Sequence, residues 1–385
     1  MIRRSVFRLT LVLAVLVLPL SVTYGQCPTS VVTGGLKAPT KIIFSTKGNL
    51  VVAEQGEGPN TGRISLIAPE SGVRRTLIGG LPSGLSAPNN DPAGPSGLAM
   101  RGRTLYVAIG VGDAVLSGPL PNSFVANPNP SSQLFSSVLA IHFSAAAEQN
   151  TTGFVLSQAD QSSLKSGATV DLSNGDGDKL SVELIADFPD YVPEPRPGLP
   201  NGVRQSNPFG LALSGNHLFV ADASANIVRD VDLETRTSST LSAFGPIPNN
   251  RGFGPPVVEP VPDSVRLFGD QLLVTLLTGF PFPIGNSQVR SVDIASGTNS
   301  PFITNLTSAI DVLPANRGGF LTLEFSTDML NPAAAGRLSY YATPSGSPTV
   351  LANCLITPTS MAQGEETNEI YVTEIFTGRV MKVTN

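Results

Sequence analysis

Short apolar runs alternate with turns along the whole chain, and no long segment sustains a helical period. Runs such as "KIIFS", "NLVVAE", "HLFVAD", "QLLVTLL" and "EIYVTE" are bounded by Gly, Pro, Asn, Asp or Ser. That pattern predicts short strands separated by turns. Aligned on these runs, a unit of about fifty residues recurs. It opens with an x-Pro-x-x step and a first strand. The second strand often ends in a carboxylate, the third commonly opens with Gly-Arg, and the fourth leads to the next proline. Six copies align, beginning at "APTKIIF", "GPSGLAM", "NPFGLAL", "VPDSVRL", "TSAIDVL" and "TPTSMAQ", the fifth without the proline. Repetition of a four-stranded unit predicts an all-β fold, a six-bladed β-propeller, whose radial arrangement leaves only short protected edges.

The copies are out of phase with the sequence. "SVVTGGL" resembles the fourth strands "SPFITNL" and "PTVLANCL" but precedes the first full unit, and "GRVMKVT" ends on a third strand. The N-terminal strand is therefore expected to join the last blade and close the ring. A solenoid would need no such shared blade.

Before the propeller, Arg3, Arg4 and Arg8 lead into "LTLVLAVLVLPL". A charged start, a short apolar run and small residues near a cut read as a secretory signal over residues 1–25, cleaved before Gln26. The run is shorter than the roughly twenty residues a spanning helix needs, so no membrane span is expected after cleavage. The expected location is secreted or periplasmic. Residues 26–385 are then one propeller, interrupted by inserted loops at about 113–135 and 145–205 that are rich in Ser, Pro, Asn and Gly. Such excursions are either functional or plain surface loops. A net charge of −5, made more negative by loss of the leader arginines, and the lack of a basic run exclude electrostatic binding of nucleic acid. Gly (38) and Pro (33) are abundant and tryptophan is absent, which agrees with many turns between short strands.

"SNPFGLALSGNHLFVADASANIVRDVD" together with "VPDSVRLFGDQLLVTLLTGFPFPIGNSQVRSVD" resembles the ScyD/ScyE family. Its members are exported propellers with NHL-like blades and a recurrent "LTGFPFP" stretch. The resemblance covers nearly all of the mature chain and is most specific at 277–283 and 206–211. Gln205 stands where the family pattern leads one to expect an acidic residue. The family implies the fold and brings no assigned reaction. The stretch "LTGFPFP" falls in the turn between second and third strands of the fourth copy, where prolines stop strand continuation. Phe280 and Phe282 there either pack over the neighbouring blade or face a pocket.

Chemistry is expected near the central channel. Carboxylates recur at second-strand ends, at Glu54, Asp222, Glu324 and Glu374, and first strands add Asp263 and Asp311. Oxygens converging on one axis would suit Ca²⁺, which takes six to eight hard ligands. Lactonases of the gluconolactonase type use such a floor. The alternative is that these carboxylates accept hydrogen bonds from backbone amides between blades. In an unliganded cluster, removing one carboxylate would relieve repulsion and stabilise the fold. His142 and His217 are the only histidines, so neither a His-rich metal site nor a Ser-His-Asp triad is supported. "NGDGDK" lacks the sharp-turn glycine and terminal glutamate of an EF-hand loop and reads as a polar turn. No nucleotide-binding fingerprint is present, and no cofactor is established. Asn150 and Asn305 begin glycosylation sequons, patterns that arise often by chance.

Two functions remain: an exported binding or scaffolding module for a small molecule, glycan or protein, and a Ca²⁺-dependent, lactonase-like hydrolase using the axial carboxylates. Cys27 and Cys354 are the only cysteines. Export permits a bridge between them, although the offset between their strands argues against the close approach it requires.

Overall fold

The computed structural model describes residues 27–150, 153–364 and 367–384. The leader assigned to residues 1–25 lies outside them. Six sheets follow one another, each built on four antiparallel strands, and two of them carry an extra edge strand. Their first strands are Pro39–Phe44, Pro95–Arg101, Pro208–Ser214, Pro262–Phe268, Ala309–Pro314 and Pro358–Gln363. Each packs against the next and the last against the first, so the sheets are the blades of a closed six-bladed propeller with these strands innermost. The core lies between blades, where buried Val, Ile and Leu of one sheet meet those of the next. Blades are numbered below in chain order.

Blade 6 is completed by the N-terminal strand, as the phase of the repeats predicts. Thr29–Thr33 runs antiparallel to Arg379–Val383, with Thr29 opposite Val383 and Val31 opposite Met381. Cys27 and Cys354 are joined by a disulfide, with 5.8 Å between their Cα atoms. This corrects the objection drawn from strand offset. Cys27 precedes the closing strand in a tight turn, with the Thr29 N–H donating to its carbonyl, and Cys354 lies near the end of blade 5's outer strand, Thr349–Leu355.

The repeat's glycines and prolines have a shared cause. A Cβ at Gly62 would stand 2.6 Å from Cδ of Pro95, and one at Gly336 would stand 2.3 Å from Cδ of Pro358. In blades 1 and 5 the glycine that opens the third strand therefore lies under the proline that opens the next blade's inner strand. Only a residue without Cβ admits that approach.

The segment 145–205 is largely ordered scaffold. It contains blade 2's outer strand, Lys179–Asp187, which pairs with Ser137–Phe143, and an edge strand, Val170–Ser173, beyond it. Phe154–Val155 adds in parallel to blade 1's outer strand, Arg74–Leu81. The helix Gln158–Lys165, capped by Ser157 and Asp160, buries Gln161, which bonds Ser132, Asn60 and the Gly80 carbonyl. Phe154, Leu156 and Leu164 join the core of blades 1 and 2. Up to Asp187 the excursion thus thickens the rim rather than the mouth. Its last part, a hairpin of Tyr191–Pro193 and Val203–Gln205, brings Gln205 to the channel. The polar turn "NGDGDK" joins the edge strand to the outer strand.

Candidate functional site

Every inner strand slips register after its first residue, through a bulge at the start of the strand. The preceding residue is left-handed in four blades, at Ala38, Val261, Ser308 and Thr357. Bulges re-aim side chains, and here they set two layers around the axis. The second strand positions are Thr40, Ser96, Phe209, Asp263, Ile310 and Thr359; the third are Lys41, Gly97, Gly210, Ser264, Asp311 and Ser360.

The four second-strand carboxylates do not meet on the axis. Glu54 accepts from the Lys37 N–H at 2.5 Å, Glu324 from Thr307 at 2.7 Å and Glu374 from Ile356 at 2.7 Å. Asp222 accepts from the Asn207 N–H at 2.8 Å. Each therefore clamps the linker entering its own blade. Three also face an arginine from the third strand: Arg63 with Glu54, Arg229 with Asp222 and Arg337 with Glu324. The recurrent Gly-Arg and the recurrent carboxylate are in two of these blades the two halves of one ion pair. Among the described residues, no three His, Cys, Asp or Glu side chains group as metal ligands.

Of the two first-strand acids, Asp311 is fully buried and heavily bonded. It accepts from Ser264 Oγ at 2.5 Å, Arg266 Nη2 at 2.6 Å, Ser360 Oγ at 2.8 Å and Lys41 Nζ at 3.2 Å. Lys41 crosses from blade 1 to Ser264 on blade 4 and Asp311 on blade 5, and so plugs the channel. Gly97 and Gly210 keep this layer narrow, since a Cβ on them would stand 2.1 Å and 2.5 Å from the carbonyl oxygens of Phe209 and Asp263. Burial pushes the Asp311 carboxyl up, but the Arg266 and Lys41 charges outweigh it and hold the group well below the usual carboxylate range. Burial and the Arg266 charge bring Lys41 down to about 8, against the pull of Asp311 and Asp263. Lys41 and Arg266 were not legible as site residues. Aligning the copies on the first residue of each inner strand, a proline in five and Ala309 in the fifth, would have put Lys41 and Asp311 in one column.

Above the plug, on the face where the inner strands begin, lies a cavity of about 600 Å³. Its floor includes Thr40, Phe209, Asp263, Ile310 and Thr359, and its walls Leu277, Phe325, Met329 and Phe376. Polar atoms of three lining residues are buried without a partner: Asp263 Oδ1, Gln205 Oε1 and Thr357 Oγ1. Burial raises the Asp263 carboxyl well above its ordinary range, aided by Asp311 and opposed by Lys41. A depression of about 680 Å³ on the opposite face is lined in part by Phe44, Glu369 and Tyr371. There Tyr371 donates to Glu369 at 2.8 Å. Three stranded polar atoms belong to residues of the mouth cavity and none to those lining the opposite depression, which makes the mouth the candidate site.

The "LTGFPFP" loop sends only Leu277 to this cavity. Phe280 is exposed and makes edge contacts with Phe253 and Phe282, while Arg251 donates to the Phe282 carbonyl at 3.0 Å. The loop is therefore pinned to the connection between blades 3 and 4.

No family model and no curated protein matches the chain. Among solved structures it is similar to the nidogen/laminin complex, at 12% identity and TM-score 0.43, covering 82% of this chain and 83% of that one. It is similar to streptogramin B lyase at 12% identity and TM-score 0.44, covering 90% and 93%. A third is the PQQ-bound aldose sugar dehydrogenase of Streptomyces coelicolor, at 10% identity and TM-score 0.46, covering 92% and 96%.

The carboxylate clamps give a result opposite to relief of repulsion. Glu324→Gln should lower the urea midpoint by the equivalent of about 1.5–3 kcal/mol, the range for a hydrogen bond to a charged group. Arg337 loses its anion and the Thr307 amide a strong acceptor. Equilibrium unfolding with Ca²⁺ or with chelator checks it, and the loss should be the same in both.

Proposed function

We propose that this chain is an exported propeller of the ScyD/ScyE type that binds a small organic molecule in the mouth cavity. The observation that carries the reading is a cavity of about 600 Å³, plugged below by Lys41 and Asp311, with aromatic walls and three stranded polar atoms. Apolar lining with a few convergent polar groups, within roughly 300–1,000 Å³, is the usual form of a small-molecule site. The disulfide supports export, because such bonds persist in oxidising compartments. No helix among the described residues is long and apolar enough to cross a membrane. Calcium-assisted ester hydrolysis would draw on Asp263 alone of its six assigned carboxylates. Glu54, Asp222, Asp311, Glu324 and Glu374 already accept from backbone amides or pair with cations. Binding is the reading carried forward.

The neutral dye Nile red tests it. The mature protein should give a saturable blue-shifted emission. Ala334→Trp, at the cavity wall, should reduce it at least tenfold, and Thr46→Trp, on the opposite face, should leave it unchanged. Loss with Thr46→Trp and not with Ala334→Trp would put the site on the other face.

A further inference from the structure

In three of the six blades the second position of the inner strand has a duty that Asp263 does not perform, and in two others Phe209 and Ile310 leave no polar group there to satisfy. Thr40 donates to the Pro95 carbonyl at 3.0 Å, Ser96 to Pro208 at 2.7 Å and Thr359 to Pro39 at 2.9 Å. Each of these hydroxyls thus bonds the first carbonyl of the next blade's inner strand. Blade 4 carries Asp263 there, only 4% exposed, and it makes no hydrogen bond. A hydroxyl would suit the scaffold better, since a buried carboxylate without a partner is costly. A local choice that works against stability marks a position kept for another task.

The surroundings indicate that task. The only charged residues lining the cavity, among those described, are Asp91 and Asp263. Lys41 lies below, and its bonds go to Ser264 and Asp311. Phe209, Ile310 and Phe325 line the same cavity as the carboxyl, and ring faces attract cations. Resting on the proposed mouth binding, we infer that the ligand is an organic cation: an ammonium group on an apolar body, its N–H bonds received by Asp263. The ammonium then supplies the positive partner that the carboxyl lacks, in a water-poor site where pairing is strong.

Titration calorimetry at pH 7 with phenylbutylamine, phenylbutanol and phenylbutyrate tests this on the mature, disulfide-intact protein. The amine should bind at least tenfold more tightly than the alcohol, and the acid should be weakest. Asp263→Thr should remove the amine's advantage while raising the urea midpoint. That rise should shrink below about pH 4, where the carboxyl is increasingly protonated in both folded and unfolded chains and only the hydroxyl's bond to the next blade remains as a gain. An amine no tighter than the alcohol, with both displacing Nile red, overturns the cation and leaves mouth binding standing. No displacement by any of the three, together with no Nile red signal, overturns both. Unchanged amine affinity in Asp263→Thr overturns the role of that residue even if the cation binds.

Discussion

Asp311→Asn should destabilise the propeller by about 3–5 kcal/mol, the cost of removing one partner from a buried ion pair. The substitution keeps the side chain's size, so no cavity contributes. Lys41 and Arg266 are left facing each other without an anion, and Ser264 and Ser360 lose a strong acceptor. Because four of the six inner strands carry one of these groups and each of the six packs on one that does, the loss should appear as lowered cooperativity of the whole ring. Lys41→Met should be much milder at pH 7. Its ammonium is held down to about 8 by burial, so the unfolded chain binds its proton more readily than the folded one between about pH 8 and 10.5. A charged Lys41 is thus a net cost below pH 8, while Arg266 and the two hydroxyls still serve Asp311 without it. Asp311 behaves oppositely: its depressed carboxyl adds stability above the unfolded value near 3.8, and that stability is lost as pH falls below it. Urea midpoints of the two variants at pH 7 and pH 3 check both statements. Equal losses for Lys41→Met and Asp311→Asn would contradict the asymmetry.

The plug also shows why parts of the site escaped sequence reasoning. Blade number and closure were legible because apolar runs recur in every copy, an opening proline in five and a Gly-Arg pair in three, whatever lies in the loops. The carboxylates at second-strand ends recur too, but recurrence marks a duty repeated in each blade, and here that duty is holding the entering linker. A site on the axis is built the other way. Its third-position layer reads Lys, Gly, Gly, Ser, Asp, Ser, with no residue type common to all six. The signal is reciprocity between blades far apart in the chain. Asp263 was named from the sequence as a first-strand carboxylate, but its isolation shows only in the comparison of copies, where Thr40, Ser96 and Thr359 hold hydroxyls at its position, Phe209 and Ile310 are apolar, and Asp263 alone is charged. Blade 2's outer strand was hidden for a different reason: helices and an edge strand interrupt the repeat between its third and fourth strands.

Closure makes the other large effect. Cys354→Ser should cost about 2–5 kcal/mol, since the bridge joins residues 327 apart and so removes much freedom from the unfolded chain. Deleting residues 27–33 should cost more. It removes the same bond and also the strand that pairs with Arg379–Val383, leaving that strand as an open edge. The two contributions separate experimentally: reduced wild type should match Cys354→Ser in urea midpoint, and the truncated chain should fall below both. The exposed edge should also make the truncated chain associate, visible by light scattering, whereas Cys354→Ser stays monodisperse because the ladder still covers the edge. If the truncated chain matched Cys354→Ser in both midpoint and scattering, the covalent bond alone would hold the ring shut. The strand pairing from Thr29 to Thr33 would then contribute nothing measurable to closure.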